Sequence, residues 1–210
     1  MGTSRTLVTI SAGLSVPSST RLLADRLTEA ATRALEQAGH PVRVESIELR
    51  DHAHAVVDAM LTGFPAGDLA AALETLAAAD GVIAVTPLFT TTYSGLFKSF
   101  VDILDKDALR GLPVLLGATG GTPRHSLALD YSVRPLFTYL RADALPTAVF
   151  AATDDWAGEG DQVNPLPDRI LRAGRELAER MAAREPRGRS NPFESTPSFA
   201  DLLADGGVAP

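Results

Sequence analysis

The chain has 210 residues, 45% of them hydrophobic, and a formal net charge of −7, which suits one globular domain with a sizeable core. It contains no cysteine, which excludes disulfides, thiolate catalysis and cysteine-based metal sites, and no apolar run approaches the roughly 20 residues of a membrane span. The absence of a Lys/Arg-rich stripe argues against nucleic-acid binding. Because the N-terminal residues also lack the basic head and apolar core of a signal peptide, we expect a cytoplasmic protein without membrane or nucleic-acid partners.

Strand-like and helix-like segments alternate along the chain. The predicted strands are 6–11, 42–49, 81–86, 112–118 and 144–151, and the predicted helices are 19–38, 69–79, 94–104, 123–141 and 162–184. The segment 51–68 has no regular pattern, and Pro135 lies inside the fourth helix. Five strands separated by helices predict an α/β fold, a doubly wound parallel sheet with strand order 2-1-3-4-5. Residues 1–184 form this domain, and the Pro-, Gly- and Ser-rich segment 185–210 is predicted to be an extended or disordered tail.

The first candidate loop, 11–20, joins the first strand to the first helix and holds four serines and one threonine. Clustered hydroxyls and free amides at a helix N-terminus favour phosphate binding, although a single Ser there is also explained by helix capping. The loop lacks the Gly-Lys-Ser/Thr of a Walker A motif and the G-x-G-x-x-G of a dinucleotide fingerprint.

The second candidate loop, 86–98, follows the third strand and is rich in hydroxyls and poor in charge. This composition suits a flat ring with polar edges; the alternative is an ordinary strand–loop–helix junction in which Pro87 ends the strand. The third candidate loop, 117–123, follows the fourth strand, and its glycines either admit a ligand close to the backbone or form a tight turn. The predicted topology brings all three loops to one crevice.

Other chemistry has little support. His52 and His54 have no evident third ligand, so no metal site is predicted, and Gly-x-Ser-x-Gly is absent. We therefore predict a site without a metal and without acid–base catalytic residues.

Two motifs carry a resemblance to a known family: Thr86-Pro87-x-Phe89 with Tyr93-Ser94-Gly95 and Lys98, and Ala118-Thr119-Gly120-Gly121-Thr122 followed by Asp130-Tyr131. With these motifs the chain resembles the NADPH-dependent FMN reductases of flavodoxin-like fold. It looks most similar to the reductases of two-component monooxygenase systems, such as those associated with alkanesulfonate monooxygenases and an actinobacterial branch that partners luciferase-like monooxygenases.

The resemblance implies roles for particular residues. Tyr131 matches a position at which several members form a π-helical turn at a subunit interface, and members commonly form homodimers or homotetramers. The implied FMN contacts are the phosphate loop, Ser11, Ser18, Ser19 and Thr20; the loop along the flavin ring, Pro87, Leu88, Phe89 and Thr90 with Tyr93 and Ser94; and the loop at the ring's other edge, Thr119, Gly120 and Gly121.

The implied activity is reduction of FMN by NADPH or NADH, with hydride transfer to flavin N5 and delivery of FMNH2 to a flavin-dependent monooxygenase. The alternatives are an FMN-bound quinone, azo-dye or chromate reductase and a flavodoxin-like electron carrier. One departure bears on this choice: many relatives carry an Arg in the phosphate loop where this chain has Ala12-Gly13-Leu14, and the sequence does not show where Arg21 points. Weak FMN retention would suit an enzyme that releases reduced flavin.

Overall fold

The computed structural model describes residues 4–187, which form a parallel sheet covered by helices on both faces. The main path of the sheet is β2-β1-β3-β5-β6, with β7 also parallel to β5 and β4 antiparallel to β3. With β6 and β7 counted as one interrupted strand, this is the predicted flavodoxin-like order 2-1-3-4-5, which is confirmed. The strands are β1 (Arg5–Ser11), β2 (Val42–Glu48), β3 (Gly81–Phe89), β4 (Thr92–Tyr93), β5 (Pro113–Gly120), β6 (Asp143–Ala144) and β7 (Val149–Ala152).

The helices divide between the two faces because successive residues of a strand point to opposite sides. In β3, Val82 and Ala84 join one apolar cluster, whereas Ile83 and Val85 join the other. The helices are α1 (Ser19–Gln37), α2 (Ala53–Thr62), α3 (Gly67–Ala77), α4 (Gly95–Asp102), α5 (Arg134–Tyr139), α6 (Thr153–Ala157) and α7 (Leu166–Ala182). Helices α1 and α7 cover one face, and α2 to α5 cover the other. Burial on both faces explains the continuous apolar runs of the central strands.

Several predicted boundaries are wrong for identifiable reasons. The predicted strand 144–151 is interrupted between β6 and β7, where Pro146 lies and cannot donate to a ladder. The third strand runs past its predicted end at Thr86 to Phe89, because Pro87 still pairs in register with Thr119 of β5. The helix α2 lies in the segment predicted to be irregular and ends at Gly63, which has φ of +81°.

The predicted single helix 123–141 is also wrong. The segment forms a 3₁₀ turn (Pro123–His125), a π-helix (Leu129–Val133) and then α5. Pro135 explains part of the break, because it has no N–H to offer the carbonyl of Tyr131, four residues earlier. The π-helical turn at Tyr131 that the resemblance implies is confirmed.

The last described residues contact the edge of the sheet at which the parallel strands begin. The Arg187 N–H donates to Asp80 Oδ1 at 2.5 Å, and the other carboxylate oxygen of Asp80 accepts the Thr6 N–H at 2.7 Å. Most of the predicted tail, residues 188–210, lies outside the described residues. In residues 4–187 no single helix is long and apolar enough to cross a membrane, although α2 and α3, bent by 87°, would suffice as a pair by length and composition.

Candidate active site

A crevice of about 540 Å³ opens at the carboxyl ends of β1, β3, β5 and β7. This is the edge at which parallel α/β sheets bind ligands, beside the point where the strand order reverses. Nine of the predicted contact residues line it: Ser18, Ser19, Thr20, Pro87, Leu88, Phe89, Thr119, Gly120 and Gly121. The structure thus brings the three predicted loops together in one cavity.

The β1–α1 loop presents a helix N-terminus to this crevice. Ser18 is the N-cap of α1, with its Oγ accepting the Arg21 N–H at 3.2 Å, and the first intrahelical bond runs from Leu22 N to Ser18 O at 3.0 Å. The amides of Ser19 and Thr20 precede that bond, so they lie without helical partners at the positive end of the helix dipole, where an anion would be stabilised. Gly13 makes this turn possible, because a Cβ there would lie 2.1 Å from Ser18 Oγ.

The β3–β4 hairpin fixes the position of the second candidate loop, 86–98. Its turn residues Thr90 and Thr91 have φ of +49° and +73°, and two successive residues with positive φ are typical of the tight turns that match the twist of a hairpin. Behind the hairpin, Thr86 Oγ1 accepts the Ser94 N–H at 3.1 Å, and the Ser94 hydroxyl caps α4 by accepting the Phe97 N–H at 3.2 Å. These bonds hold the chain so that Phe89 stays 47% exposed on the crevice wall.

Four of the predicted contacts lie away from the cavity wall. Ser11 is completely buried at the end of β1, and its hydroxyl has no partner among the described residues. Thr90 is at the hairpin tip, Tyr93 packs against Phe97 with ring centroids 6.4 Å apart, and Ser94 is the buried cap of α4. The roles of Tyr93 and Ser94 seen in the structure are those of packing and capping.

The structure also brings in residues that the sequence reasoning missed. Leu14 and Ser15 extend the β1–α1 loop along the wall, and a fourth wall comes from the end of β7 and from α6. The fourth-wall residues are Ala151, Thr153 and Trp156. A signal was present, because Trp156 is the only tryptophan of the chain and follows a predicted strand at the same sheet edge as the three loops.

The comparisons with known proteins agree with this geometry. The family model of NADPH-dependent FMN reductases matches residues 5–157. The chain belongs to this family. An NADH-dependent FMN reductase, SfnF, of Pseudomonas fluorescens is 37% identical over 173 residues, covering 82% of this chain and 89% of that protein. An FMN reductase (NADPH) of Pseudomonas aeruginosa is 34% identical over 172 residues, covering 82% and 90%.

A crystal structure of an oxidoreductase from Corynebacterium diphtheriae matches with a TM-score of 0.83 and 46% identity, covering 87% of this chain and 99% of that one. Membership confirms the resemblance found in the sequence, and with it the prediction of an FMN oxidoreductase that uses FMN and NAD(P)H. The match of residues 5–157 spans all four walls of the crevice.

The crevice of this FMN reductase fits the chemistry of its flavin. Among residues 4–187, no charged side chain lines the cavity, which suits an uncharged tricyclic ring, whereas the N-terminus of α1 suits the phosphate. Arg21, which directly follows the phosphate loop, does not line the crevice: its Nε contacts Asp25 at 2.6 Å and its Nη1 contacts Glu48 at 2.6 Å. The hydrogen bond to Asp25 raises the pKa of Arg21 further above its ordinary value, so the guanidinium stays protonated.

Proposed function

We propose that this protein transfers a hydride from NADPH or NADH to N5 of FMN and then releases the reduced flavin to a flavin-dependent monooxygenase. The observation that carries the proposal is one crevice in which a helix N-terminus and two further loops meet, with no charged side chain among its lining residues in the described range 4–187. The flavin, when bound, supplies the hydride-accepting chemistry. The protein's own residues bind the phosphate, orient the ring and exclude water.

A mechanism by positioning fits these residues. Hydride transfer from a dihydronicotinamide to a flavin ring does not need a general base, and the cavity offers no carboxylate, imidazole or amine among its lining residues in 4–187. Leu88 and Phe89 provide apolar surface for the ring, and Thr119 and Gly120 bring a polar backbone edge to the same cavity. An exposed face of the ring would then receive the nicotinamide.

Release of reduced flavin is supported by the phosphate end of the crevice. Here the anion would be held by amides, hydroxyls and the helix dipole, because Arg21 is committed to Asp25 and Glu48. A helix terminus stabilises an anion by only about 0.3–1 kcal/mol at an exposed site. FMN therefore behaves as a substrate that exchanges, and a monooxygenase, of the luciferase-like class by the resemblance, is the proposed acceptor.

Self-association is part of the proposal. The π-helix presents Tyr131 with 79% of its surface exposed, and Tyr139 on α5 is 83% exposed. Large exposed aromatic side chains on one segment favour an interface, so we propose a homodimer or homotetramer that uses this segment. The cytoplasmic location stays a prediction.

The test is steady-state oxidation of NADPH, and separately of NADH, by purified protein with and without added FMN. Oxidation of NADPH or NADH at a rate that rises and saturates with added FMN would support the proposal and rank the two nicotinamide nucleotides. The names of the two Pseudomonas relatives differ on this point, one giving NADH and the other NADPH. Riboflavin is the matched control, because it carries the ring without the phosphate and should show a higher KM. Tight, stoichiometric FMN with no turnover on added FMN would contradict flavin release and favour the quinone-type reductase or the electron carrier.

A further inference from the structure

The fourth wall of the crevice, between β7 and α6, lies outside the three loops from which the proposed function was argued. Its largest member is Trp156, which is partly buried and lines the same cavity as Ser18, Ser19 and Thr119. A tryptophan combines a large flat apolar face with one N–H donor, which suits a ligand that has both a ring and a polar chain.

A buried ion pair fixes the short helix that carries Trp156. Asp155 accepts the Ala152 N–H at 2.8 Å through Oδ2 and pairs with Arg169 Nη2 at 2.5 Å through Oδ1. The same guanidinium donates to the carbonyls of Phe150 at 2.5 Å and Asn164 at 3.0 Å. Only 7% of the Asp155 side chain and 18% of the Arg169 side chain are exposed, so α6 is tied to β7 and α7 by groups shielded from water.

The indole also has contacts of its own with the protein. It packs against the apolar cluster between α1 and α7, and the Arg26 guanidinium carbon lies 5.3 Å from the ring centroid. That distance is within the range of a cation–π contact. An aromatic side chain that is already fixed loses little conformational entropy when a ligand meets it, which is how aromatic anchors contribute to binding.

We infer that Trp156 is a direct binding contact of FMN, and that Arg26 and the Asp155–Arg169 pair position it. This inference rests on the proposed function. FMN, rather than the nicotinamide nucleotide, is the inferred occupant, because the wall that carries Trp156 lines the same cavity as the helix N-terminus and the Thr119–Gly121 loop, which the proposed function assigns to FMN.

The experiment measures the dissociation constant of FMN, without nicotinamide, by flavin fluorescence in wild type and in Trp156→Ala, Trp156→Leu and Trp156→Phe. Flavin emission is the readout because quenching of tryptophan by energy transfer reaches across a protein of this size and would not establish contact. We expect Ala and Leu to weaken FMN by about five- to tenfold, in line with losses of aromatic stacking, and Phe to weaken it less. The Trp156→Leu variant keeps an apolar side chain on α6, so it provides the comparison if Trp156→Ala lowers the stability of the fold.

Phe64→Ala is the matched control, because Phe64 is also a large aromatic side chain, 79% exposed, but lies outside the cavity wall. Its FMN affinity should equal that of wild type. A folded Trp156→Leu or Trp156→Ala protein with wild-type FMN affinity would overturn the inference, and so would an equal loss in Phe64→Ala. These outcomes are distinct from failure of the proposed function, in which wild-type protein itself would show no FMN-dependent NAD(P)H oxidation.

Discussion

The hydroxyl oxygens of Thr20 and Thr119 lie 2.8 Å apart in a hydrogen bond that joins the first turn of α1 to the end of β5. The two residues are 99 positions apart in the chain, and both are almost completely buried. The bond therefore couples the helix N-terminus that we propose binds the phosphate to the loop that we propose meets the ring edge. We therefore expect a change in either hydroxyl to affect both ends of the proposed FMN site.

Replacing Thr20 with Val removes one hydroxyl with little change of shape. It leaves the Thr119 hydroxyl buried without its partner, and we expect a loss of about 1–3 kcal/mol in the free energy of unfolding. Thr119→Val should cost a similar amount, and the double variant should cost less than the sum. Urea denaturation of the four proteins measures this cycle. Strict additivity would show that the two hydroxyls do not interact.

A negative charge at the start of α1 should oppose the FMN phosphate. Ser19 is exposed at the first position of α1 and lines the crevice. Two like charges about 5 Å apart repel each other by about 1 kcal/mol in water and by about 3 kcal/mol near a protein surface. Ser19→Asp should therefore raise the KM for FMN by about tenfold. Riboflavin should be almost unaffected. Gln37→Glu places the same charge at the other end of α1 and is the control. Equal effects of Ser19→Asp on FMN and riboflavin would place the phosphate elsewhere.

The sheet order and three walls of the crevice were predictable from the sequence because they depend on local patterns. Apolar runs followed by glycine- or hydroxyl-rich loops recur at each strand end, and the rules of parallel sheets bring those ends together. The direction of a polar side chain was not predictable. The Thr20 hydroxyl is paired with Thr119 and the Arg21 guanidinium with Asp25 and Glu48, and these contacts depend on residues up to 99 positions away.

Two of the elements that escaped prediction, β4 and α6, are short, so their sequence signals are weak. The hairpin strand β4 has two residues, Thr92 and Tyr93, and its turn is made by threonines where glycine or asparagine would be the usual signal. The helix α6 has five residues and is stabilised by Arg169, which lies 14 positions after Asp155. Trp156 lies on this short helix, and its position after a predicted strand was the one sequence signal for a fourth wall.

Alanine substitutions of the two adjacent glycines in the third candidate loop, 117–123, should affect stability and FMN binding differently. A Cβ at Gly120 would lie 2.9 Å from Phe150 Cζ, so Gly120→Ala should lower the free energy of unfolding by about 1–3 kcal/mol through overpacking. A Cβ at Gly121 would meet nothing within 4 Å, and Gly121 lines the crevice. Gly121→Ala should therefore keep its stability and raise the KM for FMN. If Gly121→Ala matches wild type in both properties, that part of the loop does not approach the flavin.

The exposed aromatic side chain of the π-helix tests the proposed subunit interface. We expect Tyr131→Asp to shift the protein toward monomer in light scattering after gel filtration, because a carboxylate would be buried without a partner. Phe64→Asp is the control, since Phe64 is equally exposed, at 79%, on a different segment. An unchanged mass for Tyr131→Asp would exclude the π-helix from the interface.

The turn of the β3–β4 hairpin offers a stabilising substitution. Thr91 has φ of +73°, a region that costs a β-branched residue about 1–2 kcal/mol, whereas glycine adopts it freely. Glycine also increases the entropy of the unfolded chain, by about 0.5–1 kcal/mol, so Thr91→Gly should raise the free energy of unfolding by up to about 1 kcal/mol. Thr92→Gly is the control, because Thr92 lies in the extended strand β4 opposite Phe89, and this substitution should be destabilising.

Urea denaturation distinguishes the two variants: with the m-value unchanged, the midpoint should rise for Thr91→Gly and fall for Thr92→Gly. A loss of stability in Thr91→Gly would mean that the Thr91 side chain makes a contact that outweighs the backbone strain.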